Sequence, residues 1–313
     1  MHLSIYVSRR LLYTIPILMS VALLIFLLFH VVADDPTAVL LDRHATAEQM
    51  AQLRHELGLD RPWFLQYLDI LKSTFTFNFG RSWATQQPIM PMIMSGLWIS
   101  FTLATPAFFI SNLLAIALAL IAAFFRGTFL DRSLVVLSVT LVSISGLTYI
   151  LLGQWLLAYR LGWFEIAGYE HGFPHFIPYI LLPNIILIIL NLGGNIRFYR
   201  TVILDELYQD YVRTAKAKGL AEHLVLFRHV LKNAFISIAT NLINQIPSWL
   251  LGSILVESFF GIPGLGGISL QAINNTDFPV IKAMTILIAL FYLILNMVTD
   301  IFYTMLDPRI RLS

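Results

Sequence analysis

The chain reads as long apolar runs separated by shorter polar stretches. A helix needs roughly 20 apolar residues to cross a hydrocarbon core of about 30 Å. Six runs approach that length: 11–32, 99–124, 134–158, 176–195, 234–257 and 283–304. Inside lipid only helices or closed barrels satisfy every backbone group, and no stretch alternates for long enough to build barrel strands. The pattern predicts an all-α polytopic membrane protein of about six transmembrane helices. Pro178, Pro183 and Gly193-Gly194 interrupt the fourth run. It is expected as a kinked span, because neighbouring helices can re-satisfy the carbonyls that a proline frees.

The first run is too long for a signal-peptide h-region, and no small-x-small cleavage site closes it, so it is expected as a retained span. The polar stretch 33–98 that follows has its own helical signals. Thr46 and Gln49 have the spacing of a capping box, which predicts a helix through Glu56 with a stop at Gly58. Trp63 to Leu71 then places Trp63, Tyr67 and Ile70 or Leu71 along one face. This stretch is expected as a small external subdomain lying on the membrane, either an interfacial anchor or a docking surface. The organisation expected is a tail and first helix over 1–32, the subdomain over 33–98, a five-helix core over 99–304 and a tail over 305–313.

Composition supports the membrane reading: 58% of the 313 residues are hydrophobic and 12% are charged, with a mean hydropathy of +0.77. Soluble domains carry about 25% charged residues, so this chain cannot coat itself for water. The net charge of +2 gives no support to nucleic-acid binding, since the cations cluster at the ends of the runs. There is no cysteine, hence no disulfide framework, thiolate nucleophile or cysteine metal site. Orientation follows from Lys and Arg in the connections. With the N-terminus inside, the inner side holds Arg9, Arg10, Arg126, Arg132, Arg197, Arg200, Arg213, Lys216, Lys218, Arg228, Lys232, Arg309 and Arg311. The outer side holds Arg43, Arg54, Arg61, Lys72, Arg81, Arg160 and Lys282, mostly in one long loop. Both termini are therefore expected in the cytoplasm.

Catalytic signatures are missing. His55-Glu56 lacks the second histidine of a zincin helix, and His223 and His229 have the wrong spacing to ligate from one helical face. His171 and His175 could pair on a metal, but interfacial histidines are the plainer account. "GIPGLGG" lacks the Lys-Ser/Thr ending of a phosphate-binding loop. Polar residues within the runs are more informative, because each is costly in hydrocarbon and tends to face the bundle interior. Asn184, Asn191 and Asn195 form one stripe on the fourth run. Asn241, Asn244, Gln245, Ser248 and Gly252 form another on the fifth. Such stripes make either a neutral polar pathway or hydrogen-bonded glue between helices. Glu257 and Asp300 lie near run ends, where snorkelling or a local ion pair is the default reading.

One stretch stands apart, "DYVRTAKAKGLAEHLVLFRHVLKNAF", Asp210 to Phe235. Arg213-Thr214-Ala215, then Gly219, then His229-x-Leu231-Lys232 nine residues further on, has the spacing of the EAA loop of ABC importer permeases. The wording closely resembles the peptide/nickel permease family (dipeptide, oligopeptide and nickel importers). "YVSRRLLYTIPIL", "LGLDRPWFLQYLDIL", "FNFGRSW", "VESFFGIPGLGGISLQAINNTDFPVIKA" and "DIFYTMLDPRIR" agree with it over most of the chain. Arg213 replaces the glutamate of the pattern, His229 its isoleucine and Lys232 its proline. "SISGLTYILLG" lacks the proline that the family often carries in the third span, so nothing there marks a kink.

The resemblance implies a B-type permease subunit in the cytoplasmic membrane of a prokaryote, paired with a homologous C-type permease. Two cytoplasmic ABC ATPases and an extracytoplasmic substrate-binding protein would complete it. ATP and Mg would belong to the ATPases, leaving no cofactor and no catalysis in this chain. The loop 205–233 would form coupling helices docked on an ATPase, using Arg213, Thr214, Ala215, Lys216, Ala217, Gly219, Leu220, His229 and Leu231. Gly219 suits the left-handed residue that ends a helix, and Ala215 and Ala217 would let a partner backbone approach. The cargo implied is a di- or oligopeptide passing along Asn184, Asn191, Asn195, Asn241, Asn244, Gln245 and Ser248, with nickel or a metal chelate as the alternative. A secondary transporter would need mid-span coupling carboxylates and inverted repeats, neither of which the sequence offers.

Overall fold

The computed structural model describes residues 3–32, 46–56 and 58–306. Among them the regular elements are helical, with one isolated antiparallel bridge between Arg81 and Pro88. The expectations for Arg43, Arg309, Arg311 and the end of the C-terminal tail fall outside the described residues.

Helix α1 (Leu3–Leu27) runs on through a wide π-type turn to Val32. Two shorter helices follow, α2 (Ala47–Glu56) and α3 (Trp63–Thr76). The capping box forms as expected: Thr46 N–H donates to Gln49 Oε1 at 2.9 Å and Gln49 N–H donates to Thr46 Oγ1 at 3.4 Å. Gly58 turns the chain at φ +69°. Helix α3 lies against α1, where the Tyr67 hydroxyl donates to the Met19 carbonyl at 3.0 Å. Trp63 stays 62% exposed at the N-terminal end of the same helix.

Helix α4 (Ile89–Phe124) begins ten residues before the run expected at 99–124. The third run does not stay straight. Helix α5 (Phe129–Ser143) and helix α6 (Gly146–Gly153), which continues in a wide turn to Arg160, meet at a 90° bend. Ile144 and Ser145 adopt extended backbone there, so the chain breaks without any proline. Helix α7 (Ile177–Leu207) is continuous through the residues expected to interrupt it. Pro178 sits in its first turn, where no N–H partner is lost. Gly193 is a packing surface: a Cβ there would lie 2.7 Å from the Ser138 carbonyl and 2.9 Å from Leu141 Cβ. The small residue lets α5 and α7 approach closely.

After α7 come α8 (Asp210–Ala217) and α9 (Glu222–Val225), which passes through a π-type turn into α10 (Leu231–Leu250). The expected fifth span over 234–257 is broken. The chain turns at Gly252, with φ +72°, and restarts as α11 (Ile254–Phe259). The Ser253 hydroxyl caps that helix by accepting from Val256 N–H at 3.3 Å. Helices α12 (Leu265–Asn274) and α13 (Phe278–Leu306) complete the chain.

Among the described residues four helices are long and apolar enough to cross a membrane: α1, α4, α7 and α13. The bent α5–α6 pair would make a fifth. The protein is thus an α-helical, multi-pass membrane protein. Buried Ala115, Ala119 and Ala123 of α4 pack with Ile196, Tyr199 and Ile203 of α7 and with Val212, Val225 and Val230 of the polar segment. That segment is therefore anchored in the core and does not merely lie on headgroups. Arg10 and Asp300 pair between α1 and α13, the local ion pair expected for Asp300. Arg200 of α7 grips Asp131 of α5 with two bonds, at 2.8 and 3.0 Å.

Candidate functional site

The polar arm is built by its own turn chemistry. Helix α8 ends in a Schellman arrangement, in which Gly219 N–H donates to the Lys216 carbonyl at 2.9 Å and Leu220 N–H to the Ala215 carbonyl at 3.4 Å. Gly219 takes φ +77° with nothing within 4 Å of where a Cβ would sit. Glycine is thus required by backbone conformation and not by space. Beyond the turn, α9 and α10 form one uninterrupted helical rod from Glu222 to Leu250. Lys216 bridges the turn to Glu222 at 3.3 Å.

The faces of this arm divide sharply. Val212 and Ala215 point into the protein's own core. The expectation that Ala215 meets a partner backbone is therefore corrected: its small side chain fits beneath α4 and α7. Arg213, Thr214, Lys216, Ala217, Lys218 and Leu220 are exposed, whereas His229 and Leu231 are half-buried on the rod. Arg213, which stands where the family pattern has a glutamate, reaches Asp210 at 3.4 Å and keeps its side chain 75% exposed. Phe227, at 59% exposure, adds an apolar element to this cationic surface. At the base of the arm, the Tyr211 hydroxyl donates to Glu206. Burial and that carboxylate push the phenol up to about 12, so it stays protonated.

The amide stripes do not act as one set. Asn195 donates to Asn112 Oδ1 at 3.1 Å and accepts from Gln245 Nε2 at 3.1 Å. Asn112 donates in turn to Gln245 Oε1 at 3.3 Å, and Tyr199 donates to Asn112. Asn241 donates to the Tyr199 hydroxyl at 3.3 Å. Five side chains from α4, α7 and α10 thus form a closed cluster, which is interhelical glue. Asn184 is buried and donates to Ile180 of its own helix at 2.9 Å. Sequence reading missed Asn112 and Tyr199. Asn112 was detectable as the one amide in an otherwise apolar run.

The rest of the stripe faces open space. A cavity of about 310 Å³ between α4, α7 and α10 is lined by Asn191, Gln245, Ser248 and Trp249, among others. Asn244 and Ser248 are exposed. The Trp249 ring stacks on Phe108 at 4.7 Å between centroids, and its indole N–H is buried without a partner. At one end of the cavity lies Gly252, beside a second buried feature. In place of the snorkelling or local ion pair expected of it, Glu257 is fully buried without an ion pair among the described residues. It accepts from Ser100 Oγ at 2.7 Å and Gly266 N–H at 2.6 Å. His171 lies edge-on to Tyr169. Among the described residues no group of three or more histidines and carboxylates forms a metal site.

Comparisons with known proteins agree along the chain. Residues 115–312 match the family described as binding-protein-dependent transport system inner membrane component, and residues 3–104 match its N-terminal counterpart. A provisionally named peptide transport system permease of Brucella abortus is 33% identical over 309 residues, 97% of this chain and 98% of the relative. A "Probable peptide ABC transporter permease protein" of Sinorhizobium fredii is 32% identical over 314 residues, 99% of this chain and all of the relative. A glutathione transport system permease protein of Salmonella choleraesuis is 33% identical over 306 residues, 98% of each chain.

Proposed function

The chain belongs to the binding-protein-dependent transport system inner membrane components, and from that premise we propose that it imports peptides as one permease of an ATP-driven complex. It is an ABC transporter permease, a multi-pass inner-membrane transport subunit and not an enzyme. The peptide cargo rests on the relatives, which are named for peptide and glutathione transport. The full complex would add a homologous permease, two ATPases and an external binding protein. Six spans with both termini in the cytoplasm would result if the α10 rod and its neighbours cross together with the five apolar elements.

The observation that carries the mechanism is the continuity of the Glu222–Leu250 rod. Its inner end carries the Gly219 turn and its other end lines the cavity at Gln245, Ser248 and Trp249. ATP-driven closure of the ATPases would pull the exposed face of α8 and Leu220. A rod without a break moves as a body, so that pull reaches the cavity wall. Asn191, Asn244, Gln245 and Ser248 would line the path, offering hydrogen bonds without fixed charge to peptide groups of any sequence. Asn195 and Asn241 would hold the helices in register, and Asn184, bonded within its own helix, would take no part in the path.

The test is company and cargo together. A tagged copy purified from its native membrane is expected to bring a second permease and ABC ATPases. Mass spectrometry of the cognate binding protein is expected to find a bound peptide. Recovery of the chain alone, or a binding protein loaded with a metal chelate and no peptide, contradicts the reading.

A further inference from the structure

Lys282 lies in the opening turns of α13, half-buried, and forms no hydrogen bond or ion pair with any described residue. It lines two adjoining cavities of about 230 Å³ each, between α1, α3 and the loop that precedes α4. Lys282 thus brings an unpaired positive charge to the cavity walls, and the helix N-terminus beside it adds positive potential.

Nearby carboxylates are already engaged. Asp69, on the wall of the first cavity, pairs with Arg61 at 3.3 Å. Asp277 accepts from Ser82 and from the Trp83 and Ala84 N–H groups at 3.0 and 3.3 Å. The second cavity has no carboxylate on its wall. It carries Arg81 as well as Lys282, with Ser73 and Trp83 also on its wall. Arg81 spends one donor on the Gln86 carbonyl at 2.9 Å and keeps others.

We propose that these cavities bind a phosphate group, with Lys282 as the principal cation and Arg81 as the second. The remaining wall is apolar, with Ile70, Phe79, Pro279 and Ile286, which suits a phosphate attached to a greasy body. The site lies where α1 ends and α13 begins, with Trp83 on its wall, and aromatic residues of this kind mark the headgroup level of a bilayer. Two sources share the chemistry: the headgroup of an anionic phospholipid and free inorganic phosphate.

Native mass spectrometry of the full chain in detergent with phosphatidylglycerol tests the first source. Thermal unfolding with added inorganic phosphate tests the second. Lys282→Met is expected to lower occupancy about fivefold or more, the scale of one lysine–anionic lipid contact. Lys282→Arg is expected to restore it. Arg81→Gln, on an exposed loop residue, gives a smaller loss in the same direction and covers the case in which Lys282→Met folds poorly. A phosphatidylglycerol adduct lost in Lys282→Met assigns the lipid, and a phosphate-induced stabilisation lost in that variant with no lipid adduct assigns the free anion. Equal response of wild type and both charge-removing variants, or no response of wild type to either probe, overturns the proposal.

Discussion

Ser100 Oγ donates to Glu257 Oε1 at 2.7 Å and accepts from Leu265 N–H at 2.8 Å, so one hydroxyl ties α4, α11 and α12 together. The other carboxylate oxygen takes Gly266 and Gly267 N–H at 2.6 and 3.3 Å. Around this carboxylate the packing leaves no room: a Cβ at Gly252 would sit 2.2 Å from Oε1, and one at Gly264 2.5 Å from Oε2. The "GIPGLGG" segment is thus a backbone cradle for an acid, and the break in the fifth run brings that acid to it.

Loss of this cradle should lower stability. Ser100→Ala removes a buried hydrogen bond, about 0.5–1.5 kcal/mol, and leaves Leu265 N–H unpaired. Gly266→Ala should cost more, because its Cβ would meet Ile254 Cα at 2.5 Å and Ile254 N at 2.8 Å. Thermal unfolding of the solubilised subunit measures both. Wild-type melting of Gly266→Ala would show that the segments are not so close.

The two kinds of amide should separate cleanly. Asn112→Leu strands the Asn195 amide and the Tyr199 hydroxyl, and each buried group left unsatisfied costs about 1–3 kcal/mol. Asn191→Leu alters an exposed side chain that donates only to its own helix at 2.8 Å. The first is expected to lower the melting temperature, and the second to leave it and change uptake. Equal melting shifts for the two would remove the distinction between glue and pathway.

Asp131 is only 6% exposed and Arg200 23%. Stripping one partner from a buried pair costs about 3–5 kcal/mol, and the partial exposure of Arg200 places Asp131→Asn toward the lower end. Gly127 N–H would also lose its carboxylate acceptor, at 3.0 Å. Arg200→Lys should not rescue, since an ammonium cannot make both bonds of the guanidinium fork. Melting temperatures of the two variants decide this; a wild-type value for Arg200→Lys would speak against the bidentate contact.

Gly219→Ala should cost about 1 kcal/mol or somewhat more, because alanine is strained at positive φ although space is available. Ala215→Glu is a different case, since Ala215 is buried in the core with Val212 and Val225. It should reduce the amount of folded subunit, whereas Gly219→Ala should not. Membrane yields by immunoblot distinguish the two.

The long apolar runs and the capped helix at Ala47–Glu56 were legible because each is set by neighbours in sequence. Gly219 was legible for the same reason, since a Schellman turn is local. What escaped depends on partners far along the chain. Nothing near Ile144 and Ser145 marks a 90° bend, and Ala215 reads as a partner contact until α4 and α7 are seen to cover it. The amide stripe on 241–248 was visible as a stripe, but its division into glue and open surface required Asn112 and Tyr199 from two other helices. Gly193 looked like an interruption because its role lies in the α5 backbone it touches.

The central claim is that the Gly219 arm transmits ATP-driven motion to the cavity. Reconstitution of the assembled complex in proteoliposomes, with ATP enclosed and the loaded binding protein on the far side, measures it through peptide uptake. Uptake is predicted to require ATP and to be lost in Gly219→Arg, while the variant subunit still inserts and folds. Full uptake by Gly219→Arg with its ATPases bound, or uptake by this chain alone without ATP, would contradict the account.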